Sequence, residues 1–127
     1  MFSDDPEQDL ELVSFIHDQI IEASGGAKGY HDEKLIRSAL ARPLHWAFGE
    51  DIYKDVFDRA AALLDSIANN HGFRDGNKRT AMAAATYYLY TNDISVSYTN
   101  IEYETFMLDV VNNKPSIEQI SDWLRSH

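Results

Sequence analysis

Residues 56–90 read VFDRAAALLDSIANNHGFRDGNKRTAMAAATYYLY, and the division of this stretch decides the fold. From Val56 to Asn70 the residues Phe57, Ala60, Ala61, Leu64, Ile67 and Ala68 form one apolar stripe at helical spacing, and His71 continues it. Gly72 interrupts the period, Phe73 supplies an apolar anchor, and Asp75-Gly76 is a turn dipeptide. The run from Asn77 to Tyr90 is apolar nearly all round, which assigns that helix to the centre of the molecule, with Tyr87, Tyr88 and Tyr90 as core and helix-packing groups.

Outward from this pair the pattern stays helical. From Leu10 to Ser24 an amphipathic helix carries Leu12, Phe15, Ile16, Ile20 and Ile21, and Gly25-Gly26 ends it. Asp32 is a natural N-cap for a short helix with Leu35, Ile36, Ala39 and Leu40, which stops before Pro43. Pro43 to Tyr53 has no period and reads as an ordered loop or a small hairpin. Thr99 to Glu102 and Ser116 to Gln119 are capping boxes that open two closing helices. The expected fold is all-α: one domain over residues 1–127, a bundle of about six helices around a buried central helix, with a possible β-hairpin at Pro43 to Tyr53.

The 127 residues suffice for one core but not for two. With no cysteine there is no disulfide, thiol nucleophile or cysteine-ligated zinc, which suits a reducing compartment. The acidic start is unlike a secretory signal, and no apolar run reaches the ~18 residues that span a bilayer, so the expected location is the cytoplasm. A net charge of −10 repels phosphate polymers and anionic lipid, which argues against direct nucleic-acid or membrane partners. Any phosphate site must therefore be local.

Such a site lies at the start of the second helix, where Asp75, Gly76, Asn77, Lys78 and Arg79 follow one another. The first N–H groups of a helix have no internal acceptor and sit at the positive end of its dipole, so an anion is their favoured occupant. Lys78 and Arg79 are disfavoured there by roughly 0.3–1 kcal/mol each. That conflict disappears if a polyphosphate covers the terminus. Arg79 then grips oxygens bidentately, Lys78 adds a point charge, Asn77 hydrogen-bonds phosphate or sugar, and Gly76 lets the backbone come close. Asp75 fits among phosphates when Mg²⁺ intervenes, because that ion is commonly held by one carboxylate plus substrate phosphates. His71, just before the turn, can take a hydroxyl proton near neutrality. The implied chemistry is phosphoryl or nucleotidyl transfer.

Taken singly, His71 could be a packed core histidine, Asp75 and Asn77 ordinary caps, and Arg74 a solvated charge; the joint spacing favours a site. His17, His31, His45 and His127 lack metal-ligand spacing and read as surface or packing residues. Trp46 and Phe48 suit either a flap that meets substrate or a patch for a protein partner.

His71-Gly72-Phe73-Arg74-Asp75-Gly76-Asn77-Lys78-Arg79 resembles the H-x-F-x-[DE]-[GA]-N-[GK]-R motif of the Fic family, and specifically its death-on-curing (Doc) toxin branch. Gly25-Gly26, Leu35 to Ala41, Ala60 to Ala62 and the chain length extend the resemblance over the whole chain. The resemblance implies His71 as base, Phe73 as buried anchor, Asp75 as Mg²⁺ ligand, and Gly76, Asn77, Lys78 and Arg79 around the phosphates of ATP, with a substrate-aligning flap in Pro43 to Tyr53. Adenylyltransferases of the family read G-N-G-R-x-x-R; here Lys78 replaces the second glycine and Met82 the second arginine. In Doc-like proteins that lysine accompanies a reversed nucleotide and protein kinase activity on a translation factor of the elongation factor Tu type.

The expected function is therefore the toxin of a toxin-antitoxin pair that phosphorylates a hydroxyl of a target protein and blocks translation. The alternatives are AMP transfer by the same fold and a catalytically silent anion-binding module. The inhibitory motif S/T-x-x-x-E-[GN] is absent, since Gln8 follows Ser3 to Glu7, so inhibition by a separate antitoxin is expected.

Overall fold

Five of the six helices begin at a residue whose side chain closes the first turn. The computed structural model, which describes residues 1–127, places α1 at Pro6–Ser24 behind Asp5, α2 at Glu33–Ala41 behind Asp32, and α3 at Val56–Asn70 behind Asp55. α5 spans Asn100–Asn113 and α6 spans Ile117–Arg125, and the capping boxes at Thr99 and Ser116 are closed in both directions. α4, Asn77–Thr91, is the exception: Gly76 stands at its N-cap and no side chain bonds to its first turn. No helix is long and apolar enough to cross a membrane.

The central helix is α3, not the run from Asn77 to Tyr90. No residue of α3 is exposed, and Ala60 to Leu64 are buried at five successive positions. Burial on all sides follows from Ala60, Ala61 and Ala62, whose small side chains let α2, α4, α5 and α6 approach together. α4 packs on α3 and α1 and leaves one side to solvent, so Tyr87 and Tyr90 are 41% and 67% exposed. Of the three tyrosines only Tyr88 is core; its hydroxyl accepts a 2.8 Å bond from Arg59 Nε on α3.

α1 is also rotated from its expected face. Its buried residues are Asp9, Leu10, Val13, His17 and Ile21, while Leu12, Ile16 and Ile20 are half-buried and Phe15 is 61% exposed. The stripe 10, 13, 17, 21 runs through a histidine, so hydrophobicity alone placed the face about one residue away.

Between α2 and α3 a 3-10 turn, Arg42–Leu44, leads into the hairpin of β1 (Trp46–Ala47) and β2 (Glu50–Asp51). Trp46 pairs with Asp51 and Ala47 with Glu50. Phe48 and Gly49 both have positive φ, 53° and 80°, as a two-residue type I′ turn requires. The hairpin base is tied to α3 by Arg42, which donates to Tyr53 Oη at 3.0 Å, Asp65 Oδ2 at 2.7 Å and Ser66 Oγ at 2.9 Å. Trp46 in the outer pair and Phe48 in the turn are both exposed.

Candidate functional site

Residues 71–76 join α3 to α4, and their shape is set by the loop 25–32 that joins α1 to α2. His31 and Asp32 donate their backbone N–H groups to the Gly72 carbonyl at 2.9 and 3.0 Å, and the Arg74 N–H reaches the Gly29 carbonyl at 3.1 Å. Tyr30 and Phe73 form an antiparallel bridge between the two loops. Gly72 is required by packing: an added Cβ would lie 2.4 Å from Cδ1 of the fully buried Ile36. Phe73 is 2% exposed and is held between two rings, His17 at 3.9 Å and Tyr30 at 5.4 Å between centroids.

His71 does not continue the apolar stripe of α3. It ends the helix in the left-handed conformation, φ 55° and ψ 43°, and its side chain is exposed with no hydrogen bond. The turn rotates the ring off the core face, and histidine is among the non-glycine residues that accept this backbone region. An unpartnered, exposed imidazole is free to meet an incoming hydroxyl.

The side chain of Asn77 is engaged by the loop itself. Its Oδ1 accepts from Phe73 N–H at 3.0 Å and its Nδ2 donates to the Phe73 carbonyl at 2.9 Å, so both amide atoms clamp one residue's backbone. What Asn77 leaves open is its own N–H. The first intrahelical bond of α4 is Thr80 N–H to the Gly76 carbonyl, so the N–H groups of Asn77, Lys78 and Arg79 lack acceptors. Lys78 and Arg79 are exposed and form no ion pair, although the chain carries an excess of carboxylates. The four-residue terminus Gly76 to Arg79 is thus a cluster of unsatisfied donors and uncompensated positive charge.

These four residues line a cavity of about 480 Å³ together with Ser24 and Gly25 from the end of α1 and Tyr103, Glu104, Met107 and Leu108 from α5. Its volume lies in the range of small-molecule sites. Burial pushes the Tyr103 hydroxyl above its ordinary pKa, and the nearby charge of Arg79 works in the opposite direction. Arg79, Tyr103 and Glu104 also border a second hollow of about 450 Å³ that reaches Met82, a buried side chain with no charge to offer. His71 and Asp75 lie on the loop outside both linings.

Asp75 is exposed; its Oδ2 accepts from Ala27 N–H at 2.6 Å, and its Oδ1 has no partner. No three His, Cys, Asp or Glu residues converge on a possible metal position. A lone carboxylate beside a cationic helix terminus fits a divalent ion carried in with phosphates, since Mg²⁺ takes one or two carboxylates and completes its shell elsewhere. Asp75 would hold that ion.

Three supports of the site escaped the sequence reading. His17, a surface or packing residue by its spacing, is 1% exposed, and its Nε2 lies 2.7 Å from the Asp75 carbonyl. Gly26, a helix stop by its sequence, is also a close contact: a Cβ on it would be 3.1 Å from Asp75 Cβ. Tyr103 and the apolar wall of α5 carried no motif at all. The signal for His17 is its register, four and seven positions after Val13 and Leu10 on the face that packs.

Residues 7–89 match the sequence profile of a family described as Fic/DOC. Among curated proteins, "Toxin Doc" of Mycolicibacterium smegmatis is 45% identical over 75 residues, which cover 59% of this chain and 58% of that protein. This chain therefore matches less than two thirds of that relative's length. "Protein kinase doc" of Escherichia phage P1 is 30% identical over 115 residues, covering 91% of this chain and 89% of that protein.

Proposed function

The chain belongs to the Fic/DOC family, and we propose that it is the toxin of a toxin-antitoxin pair, transferring the terminal phosphoryl group of ATP to a hydroxyl of a target protein. The single observation that carries this reading is the α4 terminus, the one helix start without a side-chain cap, where free N–H groups and the unpaired Lys78 and Arg79 meet a nucleoside-sized cavity. ATP would place its phosphates over Gly76 to Arg79, with Tyr103, Met107 and Leu108 offering apolar surface to the nucleoside.

Asp75 would hold the accompanying Mg²⁺, whose chemistry is to neutralise charge on the phosphates. The other steps belong to the chain. His71 accepts the proton of the target hydroxyl as its oxygen attacks the γ-phosphorus, the bond to the β–γ bridging oxygen breaks, and ADP leaves. Arg79 and the N–H groups of the terminus stabilise the equatorial oxygens in transit. Asn77, clamped on Phe73, fixes the loop between base and terminus. The exposed hairpin side chains of Trp46 and Phe48 are suited to hold the target segment, and a translation factor of the elongation factor Tu type is the proposed target.

Phosphoryl rather than AMP transfer is favoured by Lys78 and Met82. A second arginine one helical turn after Arg79 would give the far phosphates a second guanidinium, and Met82 supplies only an apolar side chain. The name of the phage relative, a protein kinase, supports the same choice. The test is to incubate the chain and a host lysate with ATP labelled at the α or the γ phosphate. Protein labelled from γ alone is expected; label from α alone would refute phosphorylation in favour of AMP transfer. His71→Ala is expected to remain folded and lose both labelling and growth inhibition, whereas undiminished growth inhibition would favour a silent binding module.

A further inference from the structure

We propose that His17 is a positioning residue of the phosphate site, acting by fixing which way the peptide between Asp75 and Gly76 faces; this rests on the reading of the α4 terminus as that site. His17 sits on α1, far from the motif in sequence, yet its ring lies directly beneath the turn. Its Nε2 is 2.7 Å from the Asp75 carbonyl oxygen. A carbonyl oxygen only accepts, so Nε2 carries the hydrogen and the imidazole donates. The ring stacks on Phe73 with 6° between planes and is 1% exposed, so neither its position nor its plane is free to drift.

A peptide unit is planar and trans, and its C=O and N–H therefore point in opposite directions. The Asp75 carbonyl is turned inward to His17, so the Gly76 N–H is turned away from the core. That N–H has no acceptor. It joins the free N–H groups of Asn77, Lys78 and Arg79 as a fourth donor toward the anion. Rotating this one peptide by half a turn would exchange the two groups and aim a carbonyl oxygen at the phosphate. The rotation changes only ψ of Asp75 and φ of Gly76.

Gly76 has φ 77°, and glycine accepts negative φ as readily, so the Asp75-Gly76 turn does not itself oppose the flip. What holds the peptide in the donor-outward state is the hydrogen bond from His17. Removing the donor while keeping the ring would leave the inward-facing carbonyl unpaired, which favours the flipped state.

Two substitutions separate this part from packing. His17→Phe keeps a ring on Phe73 and removes the donor; His17→Gln loses the stack and keeps a side-chain N–H. ATP binding by calorimetry, read beside thermal melting, should show His17→Phe folded with its Kd raised about tenfold or more, the worth of one hydrogen bond to a charged group. His17→Gln should remain within about threefold of the parent, even if it melts earlier, since the lost factor follows the donor. A wild-type Kd in His17→Phe, or equal weakening in both variants, would overturn the proposal.

Two measurements on the unmodified chain do not depend on either variant folding. The ¹⁵N spectrum of its histidines should show His17 with hydrogen on Nε2, and the Gly76 amide should shift as ATP is added; hydrogen on Nδ1 alone, or a Gly76 amide that ATP leaves unmoved, would overturn the inference. Failure of the underlying site would look different. In that case the parent chain would not bind ATP at all, while the histidine spectrum still reported the bond to Asp75.

Discussion

Replacing Lys78 and Arg79 together by glutamine is expected to make the ligand-free protein more stable while destroying its affinity for ATP. Glutamine has nearly the helix propensity of both residues, so the exchange removes charge and little else. Both side chains are exposed, neither has an ion-pair partner, and they stand at the second and third positions of α4, where the helix dipole opposes a cation. At about 0.3–1 kcal/mol each, their removal should gain about 0.6–2 kcal/mol at low ionic strength. The net charge moves from −10 to −12, the two cations lost, and this added self-repulsion works against the gain.

The expected net effect is about 0.5–1 kcal/mol, a rise in Tm of roughly 2–5 °C for a chain of this size. Calorimetric melting of parent and double variant, each with and without ATP, gives the whole cycle. ATP should raise the Tm of the parent by the mass-action stabilisation of a bound ligand and leave the variant unmoved. Raising salt should shrink the difference between the ligand-free forms, because exposed charges are screened. A variant less stable than the parent at low salt would refute the account of the terminus as an electrostatically strained anion site. So would a variant that ATP stabilises as much as the parent.

Gly72→Ala should cost about 1–3 kcal/mol by overpacking, because its Cβ would lie 2.4 Å and 2.7 Å from Cδ1 and Cγ1 of Ile36. Ile36→Val removes Cδ1 and should restore part of that loss in the double variant, as read by urea unfolding; additive losses would contradict the packing explanation. Asn77→Ala should cost about 1–3 kcal/mol, from two hydrogen bonds at about 0.5–1.5 kcal/mol each, and slow phosphoryl transfer through a loosened loop. Asn77→Asp should not rescue it, since a carboxylate keeps the acceptor for Phe73 N–H and repels the Phe73 carbonyl. The Glu102 carboxyl is held below its ordinary pKa first by the backbone N–H of Thr99 and then by the Thr99 hydroxyl. A depressed folded pKa contributes stability above the unfolded value of about 4.3 that is lost as pH falls through the folded one. Between about pH 5 and pH 3 the parent should therefore lose Tm more steeply than Glu102→Gln, which keeps an acceptor that does not titrate.

The helices were legible because their ends carry local chemistry. Asp32, Thr99 and Ser116 each announce a first turn within three residues, and the structure closes each of them. What local pattern could not supply was the order of burial. Ala60 to Ala62 and Ala81 to Ala85 look alike along the chain, and the choice between α3 and α4 as the centre depends on which faces four other helices reach. The tyrosines made α4 look apolar all round, yet a tyrosine serves a rim as well as a core, and Tyr87 and Tyr90 lie on the rim.

The same limit explains what was visible of the site. Lys78 and Arg79 could be singled out because they break a rule that operates within one helical turn, and the conflict is present in the sequence itself. The part taken by Asn77 was hidden by its chemistry: an amide that can bind phosphate can equally clamp a backbone, and only the four-residue reach back to Phe73 decides between them. His17 was hidden by distance. Its hydrogen bond spans 58 positions, and it acts on a carbonyl, a group every residue carries and no sequence distinguishes. A motif marks the groups that face the ligand, and the groups that turn the backbone toward it come from whichever helix packs beneath. For this fold that helix is α1, whose buried face runs from Leu10 through His17 to Ile21 under the turn that opens α4.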